Sequence, residues 1–145
     1  MTALEEAFLF YRVARYDLHG KALLKTNPKE YIVDTGFRTW MAGYRVTDIG
    51  RLFENAVYFQ LLYEGWSVHV GKLYGKEVDF VATKDGRVLY VQATDEMFAS
   101  ETRGREIAPL KAIRDHHEKI VVVRQGSYDT DIDGICIVNA RDFFL

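Results

Sequence analysis

The chain has 145 residues, of which 48% are hydrophobic and 28% charged, with a formal net charge of −2. These values exclude a disordered chain and leave enough length to bury one core without disulfides or a metal. The near balance of charge excludes a wholly basic nucleic-acid surface, while leaving room for a local patch.

At the start, Thr2 is a candidate N-cap with Glu5 in the capping-box position, and Leu4, Ala7 and Phe8 form a short helical stripe. Glu5 and Glu6 stand where an export signal carries positive charge, and no apolar run approaches the roughly 20 residues of a membrane span, so a soluble, cytoplasmic protein is expected. Phe10 to Tyr16 alternates like a strand. Pro28 separates Lys21–Asn27 from the strand-like Tyr31-Ile32-Val33, which suggests a hairpin with a small helical insertion. Residues 1–47 are too thin for a core of their own and read as the end of something larger, with 48–145 as the main domain.

Asp48 is a natural N-cap for a helix whose stripe is Ile49, Leu52, Phe53, Ala56, Val57 and Leu61, closed by Gly65. Trp66–Val70, Glu77–Thr83 and Arg87–Thr94 are strand-like. Ser100 opens a helix towards Glu118 that Pro109 must interrupt. Lys119–Arg124 and Gly134–Val138 read as buried strands, and Ala140–Leu145 as a short helix. The fold class expected is α/β, a mixed central sheet with helices on its faces. Phe53, Val57, Phe80, Leu89, Val91, Val121 and Val123 are the expected core.

Several chemistries are excluded by motif. Gly65 to Lys72 is a near miss for a phosphate loop, with one residue too many between its glycines, Leu73 in place of the Mg²⁺-binding hydroxyl, and strand character throughout. His116 and His117 are adjacent and diverge by about 100° on a helix, so they cannot share a metal there and read as a solvated helix end. Cys136 cannot form an internal disulfide, which fits a reducing compartment, and its apolar strand suggests a buried structural thiol.

Asp85-Gly86 between two strand-like runs predicts a two-residue type I′ hairpin turn. Lys84 then faces Arg87, Val81 faces Tyr90, and Asp79 faces Gln92. In that register Glu77, Asp79, Gln92 and Thr94 share one sheet face with Val81 and Tyr90, and the other face is wholly apolar. An acid on one strand and Glu/Gln-x-Lys on the next is a layout for metal-dependent phosphodiester cleavage, in which carboxylates hold Mg²⁺ and a lysine helps activate water. Here the series is Asp79, then Gln92-Ala93-Thr94, with Glu54 of the preceding helix as a third polar group. Thr94 supplies no positive charge, so a polar cluster kept for structure or binding is expected rather than a nuclease.

These residues carry a resemblance. Asp48-Ile49-Gly50-x-Leu52-x-Glu54-Asn55, Gly71-Lys72, Glu77-Val78-Asp79-Phe80 and Tyr90-Val91-Gln92 resemble the nuclease-like C-terminal domain of prokaryotic AAA+ ATPases, an uncharacterised family of the PD-(D/E)XK nuclease-like superfamily. Ala3 to Phe8, Val13 to Tyr16 and Tyr31 to Gly36 look like the segment that precedes it. The resemblance implies a restriction-endonuclease-like fold and puts Glu54, Asp79 and Gln92 at the superfamily's acidic and Glu/Gln positions. Thr94 departs from its lysine, and Lys72 or Lys76 is the candidate for a migrated charge. It also implies that the chain is the C-terminal part of a longer protein, with an upstream ATPase module as its partner and nucleic acid or protein as a further one. ATP and Mg²⁺ belong to that absent module. No catalytic residue, cofactor or metal is expected here, Glu54 and Asp79 being the candidate metal ligands, with Gln92 as a third in the nuclease alternative. The alternatives are an active Mg²⁺-dependent nuclease and an oligomerisation module built on Trp40, Tyr44 and Trp66.

Overall fold

The computed structural model describes residues 9–43, 45, 48–97 and 100–145. The expected N-terminal helix at residues 2–8, and Tyr44, lie outside these residues. The strands are β1 (Phe10–Asp17), β2 (Ala22–Ile32), β3 (Ser67–Leu73), β4 (Lys76–Lys84), β5 (Arg87–Met97), β6 (Glu118–Gly126), β7 (Asp131–Ile132) and β8 (Ile135–Asn139). The helices are α1 (Thr35–Ala42), α2 (Ile49–Tyr63), α3 (Ser100–Lys111) and α4 (Ala140–Phe144). The eight strands form one sheet in the order β2-β1-β3-β4-β5-β6-β8-β7, so residues 10–32 are continuous with the sheet of the later chain. β1–β3, β5–β6 and β6–β8 are parallel and the other pairs antiparallel. The fold is a mixed α/β architecture, as expected.

Each sheet face buries its own core. On one face Phe53, Val57, Tyr58 and Leu61 of α2 pack on Val70, Phe80, Leu89, Val91 and Val122, with Val13 and Tyr31 of the β1–β2 hairpin. On the other face Ile107 and Leu110 of α3 pack on Val78, Val81, Tyr90, Val121 and Val123. All seven expected core residues are buried. The α2 stripe follows from helical spacing, and Gly65 ends that helix at φ +85, with Trp66 N–H bonded to the Leu61 carbonyl.

Several expectations are corrected. Asp48 precedes α2 in a helical conformation and makes no side-chain cap. There is no helical insertion before Tyr31. β2 runs through Pro28, because β2 is an edge strand and residues 25–28 bulge where the β1–β2 register shifts between Val13 and Arg15. The Arg15 guanidinium closes this bulge on the Asn27 carbonyl at 3.0 Å. α3 accommodates Pro109 near its end and stops at Lys111, well short of Glu118, so His116 and His117 lie in the exposed bend before β6. Cys136 is exposed, because alternation turns Ile135 and Ile137 into the α3-side core and Cys136 away from it.

Candidate functional site

The hairpin register is as expected over its turn half. Asp85 and Gly86 have φ +50 and +77, as a type I′ turn requires, and pairing runs from Lys84–Arg87 to Phe80–Val91. Beyond that pair β4 continues along β3 and β5 continues along β6, and the polar residues sit at this fork. Two side chains there replace ladder bonds. Ala93 N–H donates to Asp79 Oδ2 at 2.9 Å, and Asp79 N–H donates to Gln92 Oε1 at 3.3 Å.

The expected shared face of Asp79 and Gln92 is corrected by a β-bulge. The β3–β4 register passes from His69–Val81 to Gly71–Val78, which leaves Val70 opposite both Asp79 and Phe80. Val70 and Phe80 belong to the α2-side core, whereas Val78 and Val81 belong to the α3-side core. The bulge therefore turns Asp79 to the α2 side. Gln92 and Thr94 alternate with Val91 and Ala93, which pack towards α2, so they face the α3 side. Both are buried, and the Thr94 hydroxyl donates to the Glu96 carbonyl at 3.2 Å.

What joins Asp79 on the α2 side is a cluster drawn from α2 and from strands β1 to β4. Glu54 of α2 accepts a hydrogen bond from the Tyr31 hydroxyl at 2.7 Å. Lys29 Nζ of β2 lies 2.6 Å from Glu54 and 2.9 Å from Glu77. Lys72 Nζ lies 2.9 Å from Glu77, and Arg15 pairs with the same carboxylate. Next to Glu54, Asn55 exchanges two hydrogen bonds with the Ile32 backbone at 2.8 and 2.9 Å, which clamps β2 to α2. Of the two candidates for a migrated charge, Lys72 reaches the cluster. Lys76 is exposed and pairs with Leu73, out of reach of it.

The titrations follow from this packing. Burial, and then the charge of Glu54, push the Asp79 carboxyl up to about 7 against the opposing pull of Ala93 N–H and Lys29. Burial alone would raise Glu77, but Lys72, Lys29 and Arg15 together bring it down to about 2. Burial alone would lower Lys29, yet Glu54 and Glu77 leave it raised and firmly cationic. Burial and the Glu54 charge hold the Tyr31 phenol protonated.

These residues do not fit a divalent cation. A hard cation wants several ionised oxygens converging on one point. Here the Lys29 ammonium already stands between Glu54 and Glu77, Asp79 is partly neutral, and Gln92 turns to the other face. Among the described residues no three His, Cys, Asp or Glu side chains are arranged to hold a metal. Sequence reasoning missed Lys29, Tyr31 and Asn55. The signal for Lys29 and Tyr31 was a strand carrying them two residues apart, on one face, and that for Asn55 was its place beside Glu54 in the quoted motif.

The remaining aromatic candidates separate. Trp66 is buried beneath the Arg87 guanidinium, 5.6 Å from its ring, and Trp40 is largely exposed. No helix among the described residues is long and apolar enough to cross a membrane.

No family model and no solved structure matches the chain. A protein of Haemophilus influenzae described as an uncharacterized protein is 41% identical over 142 residues, covering 98% of this chain. The chain spans 35% of the length of that curated relative.

Proposed function

We propose that the chain is a non-catalytic binding and regulatory domain, the C-terminal part of a cytoplasmic AAA+ ATPase, and that its carboxylate cluster is a degenerate nuclease-like site. Lys29 carries this reading. Its ammonium neutralises Glu54 and Glu77 at 2.6 and 2.9 Å, in the space where a nuclease needs an exchangeable metal. The cluster then serves as glue. It fastens β2 to α2 and to β4, while Thr94, on the opposite face, offers no charge to a transition state. The greater length of the Haemophilus relative supports a further module beside this one. A phosphate loop encoded in the same reading frame upstream of Met1 would support the ATPase part, and a frame without one would count against it.

Calorimetric titration of the folded chain with Mn²⁺ and Mg²⁺ tests the cluster. The expected result is no saturable binding below about 1 mM, the weak end of protein sites for hard cations. Tighter saturable binding that disappears in Asp79→Ala would overturn the reading. It would favour the second one, a Mg²⁺-dependent nuclease using Glu54 and Asp79 as ligands. One observation speaks for that alternative: Lys29 and Lys72 both bring positive charge to the cluster, as a displaced catalytic lysine would.

A further inference from the structure

On the α3 side of the sheet lies a groove with a volume of about 1140 Å³. It lies beside α3, whose main packing is on β4, β5, β6 and β8. Strands β1, β3, β4 and β5 form its floor, the turn between β1 and β2 one wall, and residues 111–117 the other.

The lining combines aromatic rings with cationic charge. Tyr16 and His69 lie side by side on the floor, their ring centres 6.2 Å apart. Burial lowers the His69 pKa, so this ring is neutral near pH 7. Tyr74 rises at one lip, 74% exposed, its hydroxyl 2.9 Å from His19 Nδ1. Tyr90 lies on the floor at the far wall. Lys21 and Arg114, at opposite walls, have no ion pair among the described residues, and both are exposed. The acid of the lining, Asp115, is already engaged by the Tyr90 hydroxyl at 2.6 Å, by His117 N–H at 3.1 Å and by Lys119 at 3.6 Å. In a chain of net charge −2 this groove is therefore a local cationic patch. Both lip residues, Lys21 and Tyr74, hold left-handed backbone, with φ +50 and +47, which side chains with a Cβ seldom adopt.

A ligand matching this surface must offer flat π faces and negative charge together. A duplex hides its base faces inside the stack, and a folded protein rarely supplies repeated phosphate-like charge. A single strand of nucleic acid supplies both, and an open groove lets the strand pass through. We propose that this groove binds single-stranded nucleic acid, its bases stacking on Tyr74 and Tyr16 and its phosphates meeting Lys21 and Arg114. The proposal rests on the reading of a binding domain and names its partner, through residues that the carboxylate cluster does not use.

The test is fluorescence anisotropy in EDTA with labelled oligo-dT and oligo-U of about 15 nucleotides, a length within the usual range for such grooves. The matching duplex and heparin serve as competitors. Both single strands should bind, with the duplex and heparin competing poorly; DNA and RNA arms report which sugar is preferred. Tyr74→Asn suits the left-handed backbone, removes the ring and should weaken binding about tenfold or more, whereas Tyr74→Phe should retain it. Lys21→Ala and Arg114→Ala should each flatten the dependence of log affinity on log salt by about 0.7. Arg105→Ala, an exposed charge on α3, should leave binding unchanged. The proposal is overturned if neither strand binds at low salt, or if binding survives Tyr74→Asn and the double Lys21/Arg114 variant. Full competition by heparin, or a dimer that Tyr74→Asn dissociates, would overturn it as well. Metal-dependent cleavage would overturn the non-catalytic reading and leave this metal-free binding as measured. Loss of the binding proposal would in turn leave the metal titration unaffected.

Discussion

Replacing Asp79 with asparagine should stabilise the fold at neutral pH and change it little near pH 4. An unfolded aspartate titrates near 3.8, whereas burial and the Glu54 charge push Asp79 to about 7 in the fold. Between those values the folded state binds more protons than the unfolded state, so Asp79 makes stability fall as pH rises from about 4 to about 7. Above that window its cost is constant. Each tenfold change in proton affinity is worth about 1.4 kcal/mol, which sets an upper bound of about 4 kcal/mol. A buried amide carries a smaller desolvation cost of its own, so the gain at pH 8 should be about 2–4 kcal/mol. Asparagine keeps an oxygen for Ala93 N–H and adds a donor near Glu54, so the geometry of the fork survives. Urea denaturation of both proteins at about pH 4.5, 6 and 8 measures the difference directly. An Asn variant less stable than the wild type at pH 8 would refute the reasoning, because Asp79 would then be held as an ion by partners that outweigh its burial.

Lys29→Met should cost about 2–3 kcal/mol by denaturant midpoint at pH 7, below the 3–5 kcal/mol typical of breaking a buried ion pair because the Lys29 side chain remains 27% exposed. Glu77 behaves oppositely to Asp79. Its pKa is depressed from 4.5 to about 2, so its stabilisation is present above 4.5 and is lost as pH falls towards 2. Glu77→Gln should therefore flatten the acid limb of a stability–pH profile. Phe80→Ala, at a fully buried ring in the α2-side core, should cost about 3–5 kcal/mol by chemical denaturation.

What the sequence revealed was local. The Asp85-Gly86 dipeptide set the register through Phe80–Val91, and the spacing of Phe53, Val57 and Leu61 placed α2 over the sheet. What it concealed depends on neighbours distant in the chain. The orientation of Asp79 is decided by Val70 of β3, where one residue faces two, and alternation along β4 alone cannot register that extra residue. Lys29 meets Glu77 across 48 positions, through an edge strand that the presence of Pro28 made look interrupted. Cys136 was misread because an apolar strand next to the sheet edge buries only alternate residues. The groove was equally hidden, since Tyr16, His69, Tyr74 and Arg114 come from separate elements.

The most direct test of the central claim is cleavage. On the proposed reading, purified chain incubated with supercoiled plasmid and with single-stranded DNA and RNA, with and without Mg²⁺ or Mn²⁺, should leave every substrate intact, because Lys29 already pairs with Glu54 and Glu77 and Thr94 supplies no charge. Metal-dependent cleavage that persists through repurification and vanishes in Asp79→Ala would contradict the account.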